Sequence, residues 1–247
     1  MDGVLWRGDQ AIGDLASIFR SLHQHGLRVV LATNNATQTV TDYQSKLRRF
    51  GVMVEEWQIV NSSQAAAHYL KSRFPKGGNI YVVGEAGLKD TLSSQGFEQA
   101  DQNVVSVVVG LDRTLTYEKL LRATLLIRDG ALFIGTNPDR SLPLPEGLGP
   151  GAGAILAALE AATGVSPVII GKPAPEMYRV ALERLGTQPQ ETLVVGDRLE
   201  TDIAGAQAIG CRTALVLTGV STVEAAHAWK PEPDWIEANL AGVIERL

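Results

Sequence analysis

Four stretches of this chain each end in side chains suited to chemistry. The opening MDGVL offers Asp2. VVLA ends in Thr33, Asn34 and Asn35. PVII leads to Gly171 and Lys172, and TLVV leads to Gly196 and Asp197, with Asp202 one loop later. Together they supply carboxylates, one ammonium, one hydroxyl and two amides. That set suits a phosphate held beside a hard cation. Mg²⁺ takes oxygen ligands and keeps several waters, and Asp197 with its neighbours can supply carboxylate oxygen. Lys172 can neutralise phosphoryl oxygens and the carboxylates. Thr33 and the amide groups at Asn34 and Asn35 can donate to the phosphate, which is positioning plus electrostatics. Taken singly, each piece has a plainer explanation: Asp197 as a helix cap, Thr33-Asn34-Asn35 as a turn, Lys172 as a solvated loop residue. Their shared place after apolar runs favours the joint reading, because open α/β sheets bind ligands beyond the carboxyl ends of their strands.

The elements that would position them follow from the pattern. Short apolar runs alternate with helical periodicity, which predicts a mostly parallel sheet covered by helices. Helices are expected over residues 13–25, over 37–50 with Thr37 as N-cap, and after the short strand in QIVNSSQAAAHYLKSRF, where the serines read as a cap. The chain breaks at Pro75-Lys76-Gly77-Gly78. A second strand–helix series then runs through NIYVVGEAGL, VVSVVVGLD, YEKLLRATLLIRDG and ALFIGTNPD. RSLPLPEGLGPGAG reads as a loop before an Ala-rich helix over 154–163. From Pro167 the strand–loop–helix pattern resumes, and a short strand and helix close the chain. The implied division is 1–75, 76–166 and 167–247, the outer two forming one core.

Composition narrows the function classes. The chain has 247 residues, 45% hydrophobic and 20% charged, with a formal net charge of −5. The acidic balance and the lack of a basic run argue against nucleic acid as a partner. No apolar stretch reaches the ~18 residues of a membrane span, and no basic-then-apolar leader is visible at the start. Cys211 is the only cysteine, which excludes an internal disulfide and a thiolate metal cluster and suits a cytoplasmic protein. The four histidines are scattered, and His23 and His25 fall on different helix faces, so a histidine metal site is not expected.

The stretches DGVLWRGDQAI, LATNNAT, IGKPAPEMY and GDRLETDIAGA, with GTNPDRSLPLPEGLGPGAGAILAALEAATG between them, resemble the haloacid dehalogenase superfamily, and within it the NagD-like phosphatases with a type IIA cap. The resemblance covers essentially the whole chain in order. It implies an α/β fold: a Rossmann-like parallel sheet core with an inserted α/β cap at 76–166. It implies Mg²⁺-dependent hydrolysis of small phosphate monoesters (sugar phosphate, nucleotide, phosphoglycolate or pyridoxal phosphate) through an aspartyl-phosphate. Carried over by motif, Asp2 is the general acid/base, and its main-chain carbonyl binds Mg²⁺. Thr33 holds the phosphoryl group with Asn34 and Asn35 nearby, and Lys172 stabilises nucleophile and phosphate. Asp197 is a metal ligand, and Asp202 orders the metal site. In the cap, Arg140 and Leu142 would face the leaving group of a small phosphorylated metabolite, and the cap would support a homodimer.

The sequence departs from the family at its opening. The family pattern is Asp-x-Asp-Gly, and Met1 falls at x, so the nucleophilic aspartate would lie one position ahead of residue 1, with the strand that carries it. The expectation is a start set too late or an N-terminal truncation. In the second case the chain is a catalytically impaired phosphometabolite-binding protein. The missing strand would be central, leaving its two neighbours with unpaired backbone groups. Two other readings fail on pattern. The glycines of GLGPGAG follow a Pro-rich loop rather than a strand, and GKP lacks the Ser/Thr that a Walker loop places after its lysine. Dehalogenase chemistry is the poorer alternative, since no halide pocket is readable.

Overall fold

The computed structural model describes residues 1–144 and 146–247. The chain forms two compact units. The first comprises Met1–Thr33, Val40–Val60 and Lys172–Leu247, and the second Asn34–Thr39 and Asn61–Gly171. These divisions lie earlier and later than the breaks read at 75 and 166. The helix Ser62–Arg73 packs on the helix Ala86–Ser94 and so joins the second unit. The strand Val168–Ile169, read with the core, pairs in parallel with Leu132–Gly135 of the second unit.

The first unit builds its core from residues that recur on one face of each element. Leu15 and Ile18 of the helix Leu15–Gln24 meet Tyr43 and Leu47 of the helix Val40–Arg49, with Leu31 and Ile59 from strands. Each fully buried side chain of this size is worth about 1.5–3 kcal/mol. Asp14 starts the first helix by accepting from Ser17 N at 3.0 Å. The second helix begins at Val40, so Thr37 is not its N-cap. Instead Thr37 donates from both N and Oγ1 to Asn35 Oδ1, at 2.8 Å each. A short side chain that can bond its own backbone prefers this turn to a helix start.

Three parallel strands, Leu193–Gly196, Arg212–Val216 and Trp235–Glu237, form one sheet of the first unit. Leu31–Thr33 pairs with Ile59–Asn61 as a separate sheet; among the described residues the two sheets are not hydrogen-bonded to each other. A small antiparallel ribbon, Trp6–Arg7 with Gln10–Ala11, follows the opening loop.

The second unit holds five parallel strands in the order Val168–Ile169, Leu132–Gly135, Val104–Val109, Gly78–Val83 and Phe97–Gln99. Val107, Val109 and Phe133 face Ala123, Ile127 and Leu159 from the helices Tyr117–Arg128 and Ala152–Thr163. The Ser-rich cap expected before Ser62–Arg73 is in fact Asn61, whose side chain and that of Gln64 bond reciprocally to backbone N–H groups. The Pro/Gly-rich stretch read as a loop contains an antiparallel pair, Ser141–Leu144 with Gly147–Pro150. The prolines of this stretch mask the pairing in a pattern reading. Among the described residues, no helix is long and apolar enough to cross a membrane.

Candidate active site

The first unit brings Lys172, Asp197, Asp202 and the start of the chain together. Lys172 is the first residue after the chain returns from the second unit. Its Nζ lies 2.6 Å from Asp202 Oδ1. Asp202 Oδ2 accepts from the backbone N–H groups of Asp197 and Arg198, both at 3.2 Å. The two oxygens of Asp202 are therefore taken up by one ammonium and two amides. The turn Leu199–Ile203 is a π-helical segment, and the buried Tyr178 hydroxyl, donating to the Thr201 and Asp202 carbonyls, fastens it from below. Burial alone would raise the Asp202 carboxyl, but Lys172, the Met1 amine and the hydrogen bond from Arg198 N hold it below the usual carboxylate range.

Asp197 ends the strand Leu193–Gly196 and is buried. Its Oδ2 accepts from Val220 N at 3.1 Å, and its carbonyl accepts from Ser221 N. Two glycines shape its cradle. A Cβ on Gly219 would fall 1.9 Å from Asp197 Oδ2, and one on Gly3 2.4 Å from the same atom; Gly3 also has φ +73°. Burial and then the neighbouring Asp202 charge push the Asp197 carboxyl above its ordinary value. The two carboxylates therefore share one site while their affinities for a proton are driven apart.

The opening residues close this cluster. Met1 N donates to Ala32 O at 3.4 Å, beside Thr33, which is buried at the end of Leu31–Thr33. Burial and then Lys172 lower the affinity of the Met1 amine for its proton, against the pull of Asp202, Asp2 and Asp197. Asp2 is exposed, and its Oδ1 accepts from Trp6 Nε1 at 2.8 Å. Thr218 Oγ1 donates to Gly3 O at 2.5 Å, which ties the opening loop to the segment carrying Gly219 and Val220.

The remaining residues singled out in the sequence belong to the second unit. Asn34 O accepts from Ser62 Oγ at 2.6 Å and from Asn137 Nδ2 at 2.8 Å. Asn35 makes the turn with Thr37. Arg140 is exposed and Leu142 half-buried, beside and within the first strand of the hairpin. Sequence reasoning passed over Trp6, Gly3, Gly219, Val220 and Asn137. The strand-end rule, applied to the residues after Arg212–Val216, would have reached the glycine and valine of Thr218-Gly219-Val220.

A divalent cation fits the donors present. Asp197 and the opening loop offer oxygen only, and the raised Asp197 carboxyl is the group that a positive charge would relieve. Among the described residues, no three His, Cys, Asp or Glu gather as a metal cluster.

Comparison with known proteins decides the family. The description "Haloacid dehalogenase-like hydrolase" matches residues 1–98, and a HAD-hydrolase-like description matches 169–243. An acid sugar phosphatase of Staphylococcus aureus is 40% identical over 248 residues, covering 100% of this chain and 95% of that protein. This chain belongs to the haloacid dehalogenase-like hydrolases. A p-nitrophenyl phosphatase from Archaeoglobus fulgidus superposes with a TM-score of 0.93 at 32% identity, over 100% of this chain and 96% of that one. A glycerol phosphate phosphatase from Mycobacterium tuberculosis, solved in complex with magnesium, superposes with a TM-score of 0.90 at 35% identity, over 98% of this chain and 74% of that one. The α/β fold with a parallel sheet, expected from the sequence, is the fold of these relatives.

Proposed function

We propose that this hydrolase cleaves small phosphate monoesters, that Mg²⁺ is its cofactor, and that the reaction passes through an aspartyl-phosphate in a chain that carries an aspartate one position ahead of Met1. The relatives' names support a phosphoric monoester hydrolase. The observation that supports the finer reading is the cluster itself: Lys172 is bonded to Asp202, and the charges of Lys172, Asp197 and Asp202 all act on the Met1 nitrogen. A residue joined to that nitrogen enters the site at once. A strand leading to it would run beside Leu31–Thr33, whose Ala32 carbonyl already faces Met1 N.

In this reading Lys172 holds the anionic oxygens of nucleophile and phosphate, and Asp202 fixes the lysine. Thr33 donates to the phosphoryl group. Asp197 and the Asp2 carbonyl would hold the cation, which supplies charge neutralisation at the phosphoryl oxygens. Asp2 gives a proton to the leaving oxygen and later takes one from water. Arg140 and Leu142 select the leaving group: Arg140→Ala should reorder a panel of phosphate esters, and an unchanged order would remove Arg140 from selectivity.

The test is inorganic phosphate release from that panel, with Mg²⁺ and with a chelator, by this chain and by one extended upstream through an aspartate. Metal-dependent turnover by the extended chain supports the reading. Phosphate binding without turnover in the extended chain would leave a phosphometabolite-binding protein instead.

A further inference from the structure

We propose that Trp6 is a positioning residue for proton transfer: its indole N–H claims one oxygen of Asp2 and leaves the other to serve the leaving group. This rests on the reading of Asp2 as the acid/base. The loop is built to deliver that contact. Gly3 N donates to Trp6 O at 2.9 Å, and Leu5 N to Met1 O at 2.8 Å, so residues 1–6 fold back on themselves. The turn sets Asp2 against Trp6 as a β-bridge and places Nε1 2.8 Å from Asp2 Oδ1.

The two partners differ in freedom. Asp2 is exposed, and an exposed carboxylate ordinarily samples several rotamers. Trp6 is 1% exposed, and close packing restricts its ring. Its ring packs against Phe50 at 6.1 Å between centroids, and Lys46 Nζ stands 4.6 Å from the ring centroid. Lys46 is itself tied to Gly8 O at 2.7 Å. A cation over the ring draws electron density inward, which strengthens the indole as a donor.

Indole nitrogen donates and never accepts. It therefore cannot take the acid's proton, and it marks which oxygen does not carry it. As a carboxylate oxygen of the aspartate proposed ahead of Met1 bonds to phosphorus and the P–O ester bond breaks, its electron pair moving to the ester oxygen, the proton on Asp2 Oδ2 passes to that oxygen. The resulting carboxylate then takes a proton from the water whose oxygen attacks phosphorus and displaces the aspartate carboxylate. Both transfers use the same free oxygen, and Trp6 holds Oδ1 throughout. A buried indole that merely satisfied its N–H would show the same contact but would not make catalysis depend on the leaving group.

Trp6→Phe keeps a buried ring and deletes the donor. The measurement is kcat/KM, which reports steps through leaving-group departure, in the chain that turns over in the assay above. Glycerol phosphate has a poor leaving group that needs the acid, and p-nitrophenyl phosphate has a good one that hardly does. The expected result is a fall of about tenfold or more for glycerol phosphate and no more than about threefold for p-nitrophenyl phosphate. Equal falls, or no fall for either ester, would overturn the proposal. Asp2→Asn in the same assay separates the two ideas. If it too lacks leaving-group dependence, the acid role of Asp2 fails first. A second measurement does not depend on how well Trp6→Phe folds. The Trp6 indole proton, followed by NMR in the unsubstituted chain with Mg²⁺ and vanadate, should keep its hydrogen-bonded position. Its shift to that of a free indole would show Asp2 leaving Trp6 and would overturn the positioning role.

Discussion

Each unit contains a short lysine–aspartate pair, and the two pairs serve different ends. In the second unit Lys119 Nζ lies 2.7 Å from Asp112 Oδ2, while Asp112 Oδ1 accepts from Thr114 N and Oγ1. Lys119 also donates to Thr114 O and Oγ1. The network is closed: every group finds its partner inside a few residues, and the Asp112 carboxyl is held below the usual range by these bonds, against the effect of burial. In the first unit Lys172 and Asp202 make an equally short contact, but a second buried carboxylate stands next to it, and that one is pushed upward. The first pair stabilises a turn. The second holds a crowded carboxylate in place, which is what the proposed binding of a cation at Asp197 would relieve.

The comparison breaks most visibly at the lysines. Lys172→Met should cut turnover about 10²–10³-fold. It should also destabilise the fold by about 3–5 kcal/mol, because two carboxylates stay buried without their cation. Lys119→Met should destabilise by a smaller amount, about 1–3 kcal/mol given its partial exposure, with turnover unchanged. Phosphate release and denaturant melts on both variants measure this. Equal activity losses would mean that the two pairs are not different in kind.

Asp197→Asn sharpens the contrast. Removing a partner from a satisfied pair costs stability, whereas removing a crowded carboxylate relieves it. Turnover should fall about 10²–10³-fold while the melting temperature holds or rises. Asp112→Asn should lower the melting temperature and leave turnover alone. A destabilised Asp197→Asn would show that Asp197 is a structural cap.

The smallest effect is in pH. Asp112 has a lowered carboxyl in the folded state, so its contribution is fully present above its unfolded value and is lost as pH falls through the lower folded one. The stability gap between the parent chain and Asp112→Asn should be flat at neutral pH and close below about pH 4. A gap that widens with acid would contradict the sign.

Much of this was legible in the sequence. Lys172, Asp197 and Asp202 were found because apolar runs end visibly and their next polar residues share one rim. The helices came from periodicity, which packing then confirmed at Leu15–Gln24 and Pro175–Leu185. What was not legible depends on the third dimension. Nothing in the pattern says that Val168–Ile169 pairs with Leu132–Gly135, since a two-residue strand carries no signature of its sheet. Gly3 and Gly219 matter because Asp197 passes within reach of both, a fact of close approach between distant segments. Trp6 is a core residue that nothing in the pattern singles out. Only its orientation shows the indole aimed at Asp2.

A crystal of this chain grown with Mg²⁺ and tungstate, a tetrahedral oxyanion in place of phosphate, tests the central claim most directly. The account predicts the cation on Asp197 and the oxyanion between Lys172 and Thr33, within reach of Asp2. An oxyanion bound elsewhere, with Lys172, Asp197 and Asp202 unchanged around an empty centre, would contradict it.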